Sequence, residues 1–398
     1  MKKFNNILSL LFIVVTFVGC NKELQVVEEE KAPLDPNKQY IHFDADVQTR
    51  GALVSGNILE DNFKVLGYQY RGDWETAKVL ASPNVFDSTP ELVSYSGGVY
   101  SYESIQPWSG NKYSFFGYYP SNSSYITLFD NGTAKAGEPY IIYNFPTESD
   151  PTLHLDVMTA DYIDTGVASS PSVQMNFKHR LCAVDVGARN YYAFDHDNDT
   201  STPDKNVTIE LTGLYVALTN IVNTTAKIYL NSAIPTEYPN AQTKAAVNYV
   251  MVGSPAWAPT TFDVVPNTAS DRAIRLVTHS SGANASSLLF IPQVEPVSGS
   301  VDIYYRKKYV DDNGTTLYQK INSGDNNETY YTWTELPTDE NSLQLYTFKP
   351  SLNINFDKPL IEGRRYYIEL TFTSDAVSVN IVAADEWNTK PDIPYEFE

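Results

Sequence analysis

Residues 41–48 read Ile41-His42-Phe43-Asp44-Ala45-Asp46-Val47-Gln48, an unbroken alternation of apolar and polar side chains. Successive side chains of a strand point to opposite faces, so Ile41, Phe43, Ala45 and Val47 share one face and the polar groups share the other. The stretch predicts a half-buried β-strand. It runs into Thr49-Arg50-Gly51, a polar turn whose glycine makes the backbone pliable.

The same short-strand signature recurs outward from there. Residues 63–70 (FKVLGYQY) alternate, and residues 112–119 (KYSFFGYY) carry aromatics on both faces before Pro120, as a central strand does. Further strands are expected at 99–105, 153–160, 207–218, 226–230, 288–291, 301–305 and 343–348. Residues 173–186 alternate through Val173, Met175, Phe177, His179 and Leu181, then shift phase to Cys182, Val184 and Val186, which predicts a bulge or a corner between sheets. Residues 364–373 and 376–382 read as a hairpin joined at Ser374-Asp375. Candidate helices are few and short, 243–250 among them. Strands at this spacing predict an all-β protein of two tandem sandwiches, at 40–168 and 169–398.

Composition agrees. The chain has 398 residues, room for about two domains, with 29 Tyr and 18 Phe. Its formal net charge is -20 and no Lys/Arg stripe forms, so attraction to nucleic acid or to anionic head groups is not expected. The two cysteines are Cys20 and Cys182.

Lys2 and Lys3 precede an apolar run over 7–18 that stops at Gly19-Cys20, the layout of a bacterial lipoprotein signal at 1–19. The run is too short to span ~30 Å of hydrocarbon. Cys20 is then the expected lipid attachment site, and Cys182 is left without an intramolecular disulfide partner. Residues 20–39, with Glu28-Glu29-Glu30-Lys31, Pro33 and Pro36, read as a flexible tether.

Motifs for catalysis are scarce. The chain has no G-x-S-x-G elbow, P-loop or H-E-x-x-H pair, and its five histidines are scattered. No enzymatic role, cofactor or metal is expected. Asp195-His196-Asp197-Asn198-Asp199 offers alternate carboxylates, but Thr200 and Asn206 stand where an EF-hand loop needs its Gly and bidentate Glu. Arg71-Gly72-Asp73 spells an integrin-type tripeptide; three specified residues also arise by chance.

Taken in order, the lipoprotein signal, Ile41-His42-Phe43 leading to Thr49-Arg50, and Trp108 before the 113–120 run carry a resemblance. So do 156–160 (DVMTA), 177–181 (FKHRL), 363–368 (GRRYYI) and Trp387. In this order the chain resembles the fimbrillin family, subunits of type V pili of anaerobic Gram-negative bacteria. The resemblance implies two transthyretin-like sandwich domains and lipidated precursors at the outer membrane, surface-exposed and assembled into fimbriae that mediate adhesion. It implies cleavage by an arginine-specific protease after Arg50, before Gly51, which discards the strand carrying Ile41, Phe43, Ala45 and Val47. The vacated groove takes a strand from another subunit, whose C-terminal region supplies it; Val377, Val379 and Ile381 mark the candidate donor. The implied partners are other pilus subunits, the outer membrane through the lipid on Cys20, and a host or bacterial surface receptor.

The residues support the first part independently. Ile41, Phe43 and Val47 are worth ~1.5 to 3 kcal/mol each when buried, and losing their strand would leave an open edge and core. An Arg in a turn that is never cut is the rival reading of Arg50. Pro391 and Pro394 disfavour the extreme tail as a donor. The alternative function is an outer-membrane glycan-binding lipoprotein of a polysaccharide-uptake system, which would share the signal, acidity and aromatic richness.

Overall fold

The structure, a computed structural model, describes residues 34–48, 59–87, 89–128, 137–146, 154–165, 172–191, 207–221, 223–238, 245–253, 260–266, 274–275, 288–323, 329–373 and 376–384. The chain divides into two units at Lys38/Gln39. In the first, residues 34–38 form a turn in which the Asn37 N–H donates to Asp35 Oδ1 at 2.9 Å.

The second unit is built almost wholly of strands. In chain order these are β1 (His42–Gln48), β2 (Phe63–Tyr70), β3 (Glu91–Ser96), β4 (Val99–Tyr102), β5 (Lys112–Tyr119), β6 (Ile126–Leu128), β7 (Tyr140–Asn144) and β8 (Met158–Thr165). They continue as β9 (Ser172–His179), β10 (Cys182–Asn190), β11 (Thr208–Ile221), β12 (Thr225–Tyr229), β13 (Ala245–Val252), β14 (Phe262–Val264) and β15 (Ile274–Arg275). The rest are β16 (Leu288–Phe290), β17 (Ser298–Val310), β18 (Thr316–Ser323), β19 (Thr329–Thr334), β20 (Ser351–Asn355), β21 (Arg365–Phe372) and β22 (Val377–Ala384). Two one-turn helices, α1 (Trp74–Ala77) and α2 (Glu340–Leu343), interrupt them.

The first sheet has the order β1-β9-β8-β5-β2-β3-β4. β1 lies parallel to β9, with Phe43 opposite Val173 and Val47 opposite Phe177. The apolar faces of β1, β2, β5, β8 and β9 build one core from Ile41, Phe43, Phe63, Val65, Phe115, Met175 and Phe177, among others. The central strands are apolar on their other face too: Leu66, Tyr68 and Tyr70 of β2 and Phe116 and Tyr118 of β5 join a second, larger core. Gly67 makes room on the first face, since a Cβ there would lie 2.7 Å from Val85 Cβ and from Phe86 Cε2.

The phase shift in 173–186 is a corner between sheets. β9 ends at His179, the Arg180 N–H donates to Val157 O at 2.8 Å, and the chain resumes as β10 in a different sheet. The first sheet thus runs on to His179, past residue 168. β10 pairs in parallel with β21, which pairs antiparallel with β22; β15 and β16 complete that sheet. β13-β11-β17-β18-β19, with β14 on β11 and β20 on β17, forms a third sheet. Val184, Val186, Leu211, Val216, Ile303, Ile368 and Leu370 from these two sheets share the larger core. The small sheet β12-β7-β6 joins strands from either side of residue 168.

Two local expectations are corrected. Residues 245–252 form β13 rather than a helix, because a long antiparallel ladder with β11 outweighs their helix-compatible local pattern. Residues 343–348, expected as a strand, hold the end of α2, a helix started by the Asp339 carboxylate accepting the Ser342 N–H at 2.8 Å, and the 3₁₀ turn at Gln344–Tyr346 that continues it.

Candidate functional site: the groove filled by the first strand

β1 follows its sequence alternation. Ile41, Phe43 and Ala45 are buried, Val47 is partly buried, and His42 and Asp44 are exposed. Phe43 sits in a socket of aromatic rings, with centroids 5.4 Å from Phe115, 5.5 Å from Tyr102, 6.2 Å from Phe86 and 6.3 Å from Phe63. Edge-to-face geometry dominates, the arrangement that ring quadrupoles favour.

β1 and β4 lie at opposite ends of the first sheet's strand order, yet they meet. The Tyr102 hydroxyl donates to Ile41 O at 2.8 Å, and the Tyr100 hydroxyl donates to Ala45 O at 3.1 Å and to Leu59 O. Main-chain bonds extend the seam: Ile41 N–H to Gln106 O at 2.9 Å, Trp108 N–H to Gln39 O at 2.9 Å and Leu59 N–H to Ala45 O at 3.1 Å. The sheet is therefore rolled, and β1 is the strand that closes it. It is held by a backbone ladder on the β9 side and, on the β4 side, by the two tyrosine hydroxyls together with these main-chain bonds.

Burial raises both phenols. Tyr102 is pushed up to about 12, and Tyr100 higher still, with the neighbouring Tyr95, Asp46 and Asp44 adding to the effect of burial. Both are neutral donors throughout the physiological range. The alternation of Tyr100 and Tyr102 along β4 was the sequence signal for this clasp, since it sets both rings on one face.

The other candidate residues fall as follows. Cys20, Arg50 and Gly51 lie outside the described residues, as do the 195–199 acidic segment and Trp387. Val377, Val379 and Ile381 sit on β22, partly buried against the larger core, with β22 the edge strand of its sheet and its ladder running from Phe372↔Val377 to Arg365↔Ala384. Cys182 is fully buried, its Sγ donates to Phe290 O at 3.3 Å, and burial pushes its thiol far up.

Arg71-Gly72-Asp73 serves as a turn. Gly72 has a φ of +88°, and the Asp73 carboxylate caps α1 by accepting the Thr76 N–H at 2.8 Å, which holds its pKa down. His154 is packed against Phe145, Tyr249 and Phe290 and accepts the Leu289 N–H at 2.9 Å; His179 pairs with Asp156 at 2.9 Å. Both are structural. Among the described residues no group of three His, Cys, Asp or Glu side chains is placed to hold a metal ion.

Beside this geometry stands a sequence match. The model of the fimbrillin-like family matches residues 49–387, most of the chain. The chain belongs to the fimbrillin-like family. This fimbrillin-like chain also shares its fold with a solved fimbrial protein from Bacteroides vulgatus, at 17% identity over 86% of this chain and 99% of that one, with a TM-score of 0.53. More remote similarity reaches the tip fimbrial protein Mfa3 of Porphyromonas gingivalis with C-terminal truncation, at 9% identity over 88% of this chain and 100% of that one, with a TM-score of 0.32. No curated protein matches the sequence.

Proposed function

We propose that this fimbrillin-like chain is a structural or adhesive subunit of a surface fimbria and acts without catalysis. In this reading the signal at 1–19 is removed, Cys20 carries the lipid that holds the precursor at the outer membrane, and 20–39 is the tether. Two transthyretin-like sandwiches follow, and the fimbria they build mediates adhesion through a surface receptor.

The observation that carries the reading is the place of β1. A strand at a sheet edge, paired in parallel on one side and held on the other by two tyrosine hydroxyls and a few main-chain bonds, can leave without unravelling the sheet's interior. Its departure uncovers the Phe43 socket and the backbone edge of β9, which an alternating strand can fill. A cut between Arg50 and Gly51 would turn β1 from a tethered element into a dissociable peptide. The high local concentration of neighbours at a membrane surface then favours replacement.

The donor in this reading is β22 of another subunit, through Val377, Val379 and Ile381. The test is the N-terminus of the cell-surface protein. A start at Gly51 in SDS-resistant ladders supports the reading; a start at Cys20 in monomers alone opposes it.

A further inference from the structure

The groove beneath β1 is not uniform. At Phe43 it is a four-ring socket formed by Phe63, Phe86, Tyr102 and Phe115. At the next inward position Ala45 is 1% exposed, so the groove closes tightly over a single methyl group. Between them, Tyr102 and Tyr100 grip the strand through the carbonyls of Ile41 and Ala45, atoms that any strand possesses.

We propose that this groove selects its occupant by register. It takes a large apolar residue in the ring socket and a small one two positions later, while Tyr100 and Tyr102 fix the strand's height through its main chain. The proposal rests on the strand-exchange reading above and adds the rule by which a donor is chosen and aligned.

The occupant is β22 of a second copy. Its Val379-Asn380-Ile381-Val382-Ala383 repeats the inward order of Ile41-His42-Phe43-Asp44-Ala45, large, large, small at alternate positions. Placing Ile381 in the socket sets Val379 where Ile41 was and Ala383 where Ala45 was.

The neighbouring registers fail on physical grounds. A slip of one residue turns Asn380 and Val382 inward and sends Ile381 to solvent. A slip of two that brings Val379 to the socket forces Ile381 onto the Ala45 position, which overpacks a closed site. The opposite slip puts Ala383 in the socket and drives the Asp385 carboxylate into the Ala45 position, burying an unpaired charge. Among these registers the one with Ile381 in the socket keeps charge out of the closed Ala45 position and brings Asp385 only to the place of Val47, which is partly buried.

The experiment uses the full chain carrying a specific protease site within 51–58, cut so that the first strand stays bound as a separate peptide. Fluorescent peptides are then offered and capture is read by anisotropy: 40–48, 376–384, and 376–384 bearing Ile381→Ala or Ala383→Phe. The expected result is capture of both unaltered peptides and at least about tenfold weaker capture of each altered one, a difference of ~1.4 kcal/mol.

Equal capture of all four peptides overturns the register rule while leaving strand exchange standing. Failure to capture even the 40–48 peptide removes the exchange reading and the rule with it. In the cut Tyr100→Phe/Tyr102→Phe chain, the bound strand should leave about tenfold faster with the ranking of peptides unchanged. An unchanged release rate would overturn the role given to the two hydroxyls.

Discussion

Tyr102 donates its hydroxyl to the carbonyl of Ile41 at 2.8 Å, joining strands that stand at opposite ends of one sheet's strand order. That bond closes the first sheet on itself and makes the first strand a clasp rather than an ordinary edge. Because the acceptor is a main-chain carbonyl, the clasp is indifferent to the sequence of the strand it holds.

The clasp has an alkaline limit. Tyr102 is raised from the ordinary value of 10 to about 12, chiefly by burial, so the folded state holds its proton more tightly than the unfolded one. The stability this supplies is fully present below pH 10 and is lost as pH rises through about 12. Burial raises Tyr68, Tyr118 and Tyr143 as well, so the loss is collective. Thermal midpoints should be flat from about pH 7 to 9 and fall above about 10, with Tyr102→Phe falling less steeply. An equally steep fall in the variant would show that Tyr102 contributes nothing to it.

Phe43→Ala empties the four-ring socket. A buried Phe truncated to Ala costs about 3 to 5 kcal/mol, transfer and cavity together, and equilibrium denaturation should show that loss. His42→Ala, on the exposed face of the same strand, should change stability by less than about 0.5 kcal/mol. Similar costs for the two would contradict the facing of the strand.

Arg180 stands at the corner between β9 and β10, almost fully buried. Its Nε lies 3.0 Å from Glu362 Oε1, and its terminal nitrogens donate to Thr159 Oγ1, Ile234 O and Thr236 Oγ1. Arg180→Ala strands those acceptors in the interior and should destabilise the fold by about 3 kcal/mol or more. A loss below about 1 kcal/mol would mean that solvent replaces the guanidinium freely.

Much of this was written in the sequence, and the omissions have physical causes. The strict alternation of 41–47 and 173–179 gave strands with correctly assigned faces, because a period of two admits no other regular element, whereas 63–70 alternates less strictly and β2 buries Leu66, Tyr68 and Tyr70 on its second face. Parallel pairing of β1 with β9 was not legible, since the partner lies more than a hundred residues away in sequence and parallel neighbours leave no turn signal. The clasp was half legible: Tyr100 and Tyr102 share a face, but only the rolled sheet brings β4 to β1. Residues 343–348 misled because apolar alternation also fits a short helical turn, and the cap at Asp339 lay outside the window.

Cys182 should resist modification. It is enclosed in the larger core, its thiol donates to Phe290 O, and burial disfavours the thiolate that reagents attack. Maleimide labelling of the folded chain should proceed only as fast as the protein opens. Labelling at the rate of the denatured protein would contradict the packing around β10.

The central claim is that the first strand keeps the subunit from assembling until it is cut away. Native trypsin treatment should cut early after Arg50, release the 21–50 segment slowly and convert monomer to oligomers, read by mass spectrometry and light scattering, while Arg50→Ala stays monomeric under the same treatment. If trimmed protein loses that segment and remains a stable monomer at high concentration, the claim is contradicted.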